Sequence, residues 1–253
     1  MKVIDINSDL GERPEALLDG TEEVLVKMIT SANIACGGHA GDAETMEGVL
    51  RLCLKYGVGI GAHPGYPDRE NFGRREMELP LGEVENIVFG QVRTLLESAW
   101  RLGASVRHVK PHGALYNSAV KNRALAEAIG RGVRRIDKSL ILIGLAGSSM
   151  LDAWKDLGMR VVGEAFADRR YESDGQLRHR SRPDAVITDP ADATAQVMSL
   201  LRHGVIVAID GTRIPIEAQT VCIHGDTLHA ATITAAVRRG LEGEGFRIRL
   251  IEG

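Results

Sequence analysis

Aromatic residues make up only 4% of the 253-residue chain, so its core has to be built mainly from aliphatic side chains. Cysteine is scarcer still. Cys36, Cys53 and Cys222 are odd in number and scattered, which argues against a disulfide framework and fits a reducing compartment, the cytoplasm. No run approaches the ~18 apolar residues of a spanning helix. Asp5, Asn7 and Asp9 also interrupt the N-terminus where a signal peptide needs an apolar stretch. Neither sign of charge dominates: 31 Lys and Arg stand against 34 Asp and Glu, leaving no basic footprint for nucleic acid or an anionic membrane. Nucleotide fingerprints are missing too. Gly144-Leu-Ala-Gly147 lacks the G-x-G-x-x-G spacing, and no G-x-x-x-x-G-K-[ST], H-E-x-x-H or G-x-S-x-G occurs.

What is present is a rhythm. Apolar runs rich in Val and Ile predict strands at Val3–Asn7, Ala32–Cys36, Val58–Ala62, Val106–Lys110, Leu140–Leu145, Arg160–Ala165 and Val221–His224. Helical spacing separates them. Met46, Val49, Leu50 and Cys53 share one face behind a capping Asp42, and Val84, Val88, Leu95, Ala99 and Leu102 form a stripe after Pro80. A helix starts near Pro190, and a last one carries Ile233, Val237 and Leu241 with Asp226 as its expected cap. Strand–helix alternation repeated about seven times implies a parallel sheet with crossover helices. Polar motifs follow nearly every strand instead of gathering at one switch point, which favours an α/β barrel of the (β/α)7, TIM-like type over a doubly wound sheet. The chain reads as one barrel domain over residues 1–253. Its one interruption is a β-hairpin insertion near 205–217, where Asp210-Gly211 suits a tight turn.

The chemistry gathers at the strand ends. Asp5-Ile-Asn7-Ser-Asp9-Leu-Gly11-Glu12 runs off the first strand, and alternation places Asp5, Asn7 and Asp9 on one face. Its bland alternative is a hydrogen-bonded loop that starts a helix. His39 follows Gly37-Gly38, and His63 precedes Pro64, which favours an extended strand end. Arg74-Arg75 after Gly73 could clamp a carboxylate or phosphate, or be solvated loop charge. Lys110-Pro-His112-Gly closes an apolar strand, and burial there would lower the lysine's pKa toward acid/base work unless it snorkels outward. Glu164, Asp168 and Arg169 follow, then His224-Gly-Asp226. Four histidines (His39, His63, His112 and His224) thus share one setting beside glycine or proline at strand ends, which points to an active site at one barrel face. Two chemistries fit: a divalent metal held by His and Asp that activates water, or metal-free acid/base catalysis. Cys53 reads as core, and Cys36 and Cys222 as buried small residues.

Taken together, the motifs Asp5–Glu12, Asn33–Asp42, Gly61–Asp68, Asn71–Arg75, Lys110–Asn117, Glu164–Tyr171 and His224–Asp226 closely resemble the LamB/YcsF family in family order across almost the whole chain. The resemblance implies a barrel related to the glycoside hydrolase/deacetylase superfamily. It also implies ATP-dependent opening of 5-oxo-L-proline to L-glutamate by a complex with two partner subunits, B and C, of 5-oxoprolinase. The missing nucleotide motifs fit a division of labour in which the partners use ATP and this chain opens the activated ring. Under that reading Asp9, Glu12 or His63 serves as base, and Lys110, His112 and Arg74 stabilise developing charge or bind the carboxylate. Asn7, Asn33, Glu164, Asp168, Arg169 and His224 complete the substrate site. Related deacetylases hold a metal with one Asp and two His, so Asp9, His39 and His63 are the expected ligands by that analogy. A metal-dependent deacetylase of a carbohydrate or small amide, and a non-catalytic small-molecule binding subunit, are the alternatives.

Overall fold

A computed structural model describes residues 3–251. In chain order the elements are β1 (Val3–Leu10), α1 (Pro14–Leu18), α2 (Thr21–Val26), β2 (Ser31–Ala35), α3 (Ala43–Tyr56), β3 (Gly59–His63), α4 (Leu81–Arg101), β4 (Val106–Val109), α5 (Gly113–Lys121) and α6 (Arg123–Arg134). There follow β5 (Ile141–Leu145), α7 (Ser149–Asp156), β6 (Arg160–Phe166), α8 (Pro190–His203), β7 (Val205–Val207), β8 (Arg213–Pro215), β9 (Thr220–Cys222), α9 (Ala230–Gly243) and β10 (Arg247–Ile248). Strands β1 to β6 pair in sequence, all parallel, and β9 pairs with both β6 and β1. Seven parallel strands therefore close a barrel, and β10 adds a short parallel pairing to the start of β1. Between α8 and β9, β7 and β8 pair antiparallel around Asp210-Gly211.

The helices form where caps and apolar stripes coincide. The Asp42 side chain accepts from the Thr45 amide at the start of α3, and that helix ends on Gly57 in the left-handed region. Asp189 caps α8 in front of Pro190. One expected cap fails: α9 starts after His229, which offers no side-chain cap, because the Asp226 carboxylate is drawn instead to two arginines. No helix among the described residues is long and apolar enough to cross a membrane.

Strand alternation sorts the barrel into layers. Ile4, Ile6, Ile34, Ala62 and Val109 join the main aliphatic core with the helices. A separate small cluster of Ile141, Ile143, Val162 and Ile251 seals the barrel's lower end. Above it the interior is polar. Asp5 accepts from Thr30, Ser31 and Thr220, and Asn7 donates to Thr220 at 2.7 Å. Gly61 is required in this layer, because a Cβ there would lie 2.0 Å from Nε2 of His108.

Glu22 of α2 is a buried carboxyl just outside the barrel. Its Oε1 accepts from the Gly11 amide at 2.6 Å, while Oε2 has no hydrogen-bond partner among the described residues. Burial pushes it from 4.5 up to about 7. A raised carboxyl is a stability loss that grows as pH rises from the unfolded value to the folded one, because only the unfolded chain ionises freely. At about 1.4 kcal/mol per pKa step, the loss reaches on the order of 3 kcal/mol above neutrality. Glu22→Gln keeps the acceptor for Gly11, so urea denaturation should find the variant about 1–3 kcal/mol more stable at pH 8, and unchanged near pH 4.

Candidate active site

The upper strand ends supply the groups of the site. Asp9 is the penultimate residue of β1, Glu12 lies just beyond it, His39 sits in the β2–α3 loop and His63 ends β3. Lys110 and His112 follow β4, Glu164 lies in β6, and His224 follows β9. Three histidine rings meet. His39 stacks on His112 with centroids 3.6 Å apart, and His63 stands edge-on to both. Gly73, at φ +63°, lets the chain pass beside them, since a Cβ there would be 2.6 Å from that of His39. His224 lies apart, stacked on Phe166.

Two backbone carbonyls set the ring protons. Nδ1 of His63 lies 2.7 Å from the Lys110 carbonyl, and Nε2 of His112 lies 2.9 Å from the Phe72 carbonyl. A carbonyl only accepts, so both nitrogens carry hydrogen. Nε2 of His63 and Nδ1 of His112 are then left facing each other at 3.0 Å, with Oε1 of Glu12 3.1 Å from the latter and 3.2 Å from Nε2 of His39. Burial lowers His39 to about 3 and lowers His112 as well. Burial also works against His63, but the Asp9 charge and hydrogen bond raise it. Of the three rings, His63 therefore takes a proton most readily. Burial would raise Glu12, yet the His112 and His39 rings beside it hold it well below the usual carboxylate range.

Lys110 lies at the centre of a second group. Its Nζ is 3.1 Å from Asp9 Oδ1, 3.0 Å from Glu164 Oε2, 3.3 Å from Asn7 Oδ1 and 3.1 Å from Cys222 Sγ. The sequence expectation of a lowered lysine is overturned. Burial does press the pKa down, but Asp9, Cys222 and Glu164 together hold it well above the ordinary value, so Lys110 is a fixed cation. Asp9 in turn is raised by burial but brought well below its ordinary range by the charges of His63 and Lys110.

Several expected substrate contacts lie elsewhere. Asn7 and Asn33 sit beneath the cavity, with Asn33 Nδ2 donating to Asn7 and Asp9 at 2.8 Å each. His108, not singled out from the sequence, holds Asn33 in turn at 2.9 Å. Its signal was its place two residues before Lys110 on one strand, which turns both inward. Asp168 is fully buried and binds the backbone and Nδ1 of His224 and the Thr227 hydroxyl, so it orients His224 and does not reach the cavity. The cavity itself, about 330 Å³, is lined by Asp9, His63, Lys110, His112, Tyr116, Phe166 and His224, and by several arginines. Arg74 and Arg169 are among these, whereas Arg75 is not.

The expected metal trio does not assemble as drawn. Glu12, His39, His63 and His112 bring one ligand atom each within 4.8 Å of one another, and Asp9 instead groups with Cys222 and His224. The reason is reach. Asp9 turns one oxygen to Lys110 and reaches one of the rings, with Oδ2 3.4 Å from Nε2 of His63, whereas Glu12, beyond the strand, lies 3.2, 3.8 and 3.1 Å from His39, His63 and His112. The donor set fits a divalent cation: two imidazole lone pairs aimed by carbonyls, a third imidazole, and a carboxylate.

A model of the LamB/YcsF family matches residues 4–253. The chain is 47% identical over 249 residues to the A subunit of 5-oxoprolinase from Chloroflexus aggregans, covering 98% of this chain and 99% of that one. It is 46% identical to the protein of the same name from Pyrococcus furiosus, covering 97% and 96%. Among solved structures, the lactam utilization protein from Thermus thermophilus superimposes with a TM-score of 0.91 at 39% identity, covering 99% of this chain and 100% of that one. With the match running from β1 to the last residue, the chain belongs to the LamB/YcsF family.

Proposed function

We propose that this chain is the ring-opening component of an ATP-dependent 5-oxoprolinase, cleaving the lactam of 5-oxo-L-proline to L-glutamate with partner subunits B and C. The full-length identity to proteins named as the A component of 5-oxoprolinase carries the reading. The cavity supports it, being small and lined by carboxylates, imidazoles and one fixed ammonium. ATP is then consumed on the partner subunits, in keeping with the absence of nucleotide fingerprints from this sequence.

A lactam carbonyl is a weak electrophile, so the site has to deliver water, remove its proton and hold the developing oxyanion. The facing nitrogens of His63 and His112 form a relay that accepts the water proton and returns it to the ring nitrogen. Lys110, held cationic by Asp9 and Glu164, faces the oxyanion. Asp168 keeps Nε2 of His224 turned toward Asp9, and Arg74 and Arg169 take the substrate carboxylate. A divalent cation held by Glu12, His39, His63 and His112 would occupy the lone pairs of that relay and would supply Lewis acidity to the water in its place.

The decisive assay is 5-oxo-L-proline turnover with ATP and both partner subunits, using His63→Ala and Lys110→Ala chains. Turnover that survives both changes would falsify the assignment of the site. Metal content gives an independent reading. The purified chain should carry a transition metal at one per chain or bind cobalt with visible absorption, and Glu12→Gln should weaken the binding by about tenfold or more.

A further inference from the structure

At the mouth of the cavity three guanidiniums stand against one carboxylate. Arg74 comes from the loop after β3, Arg169 and Arg180 from the segment after β6, and Asp226 from the loop after β9. Arg74 and Arg180 both donate to one oxygen, Oδ2 of Asp226, the second at 3.3 Å. The other oxygen, Oδ1, is buried and accepts no hydrogen bond among the described residues. Both arginines line the cavity, whereas Asp226 lines a separate narrow recess with Glu12, Arg13 and Gly225. Asp226 thus grips the pair from behind.

Arg169 is the stronger anomaly. It is 3% exposed and lines the same cavity. Its Nε and Nη2 donate to the carbonyls of Ala185 and Arg178, and among the described residues it has no ion-pair partner. Burial and the charge of Arg180 push it down to about 10. Arg178, close by, is different, because Glu172 and Asp184 each hold it at 2.8 Å. The charge of Asp168 does act on Arg169, but that carboxylate is taken up by His224 and Thr227 and forms no ion pair with it, and a buried cation with no paired anion is unfavourable. Among the described residues Asp226 is the one carboxylate ion-paired to any of the three arginines, which leaves room for a further anion from the cavity side.

We infer that Arg74, Arg169 and Arg180 form an oxyanion subsite, and that Asp226 is its built-in counter-ion, competing with the ligand for Arg74 and Arg180. Carboxylate and phosphoryl groups both match the guanidinium fork. Only the identity of the molecule bearing the anion rests on the ring-opening reading. Anion binding itself does not. Because the ligand would bridge residues from two loops and release a third, its arrival loosens the β9–α9 loop from the other two.

Calorimetry on the purified chain tests this without turnover, using inorganic phosphate, 5-oxo-L-proline and the uncharged 2-pyrrolidinone. Phosphate binding tighter than 5-oxo-L-proline assigns the subsite to a phosphoryl group, and the reverse order assigns it to the carboxylate. Either anion should bind at least about tenfold more tightly than 2-pyrrolidinone, and Arg180→Met should remove most of that difference. Asp226→Asn should tighten the anion, since it removes the competitor. A merely structural latch predicts the opposite, because its loss leaves the arginines repelling and disordered. Failure of both anions to bind, or weaker binding in Asp226→Asn, overturns the proposal. Thermal unfolding of each variant accompanies the titrations. Should Arg180→Met not fold, Asp226→Asn decides alone.

Discussion

Lys110→Met is expected to lose about 3–5 kcal/mol of stability and most of the activity together, because it leaves Asp9 and Glu164 buried without their cation. The activity loss should be about 10²–10³-fold, the range for removing one oxyanion-stabilising group. Urea denaturation and the reconstituted assay read the two effects separately. Adding Asp9→Asn should restore part of the stability, since one of the stranded charges is gone, and none of the turnover. The pH dependence follows with a definite sign. A carboxyl depressed in the folded state stabilises above its unfolded value, and that stability is lost as pH falls through the folded value. In the native chain Asp9 lies well below 3.8, so the loss comes only in strong acid. Without Lys110, one of the main charges opposing the effect of burial is gone, the carboxyl rises, and acid unfolding should begin at a higher pH.

His63→Asn should lower turnover by about 10²–10⁴-fold, the usual worth of a positioned acid/base group, while leaving the fold intact. The asparagine amide, which falls near the place of Nδ1, can still donate to the Lys110 carbonyl. What it cannot do is pass a proton between Asp9, Glu12 and His112, which surround the other nitrogen at 3.4, 3.8 and 3.0 Å. Circular dichroism and the thermal midpoint should stay close to those of the native chain. A variant that keeps its turnover would remove His63 from the chemistry and return the base to Asp9 or Glu12.

Both expectations start from residues legible in the sequence, but legible to different depths. His63 is marked by Pro64, and the strand does end there. Lys110 is marked by its apolar strand, yet the strand alone gives its charge state the wrong sign. Desolvation can be inferred from one strand, whereas the opposing carboxylates come from two others, Asp9 on β1 and Glu164 on β6. Asp226 shows the same limit. Its spacing before α9 looks like a cap, and only the approach of Arg74, 152 positions away, gives it other work.

By itself the sequence determined the alternation of about seven strands with helices, and so a parallel sheet, because Val- and Ile-rich runs separated by capped amphipathic segments leave few other ways to bury their faces. It also determined that polar groups crowd one end, through the period-two alternation of β1 and the repeated histidine settings. Tertiary structure alone decided who meets whom. Barrel closure between β9 and β1 brings Cys222 to Lys110. The reach of the loop after β1 brings Glu12 to all three histidines, while Asp9 meets His63. Carbonyls from the end of β4 and the β3–α4 loop choose which nitrogens face inward. Strand patterns are local and can be read along the chain. Charge, tautomer and ligand set depend on atoms within a few ångströms in space, and those come from distant residues.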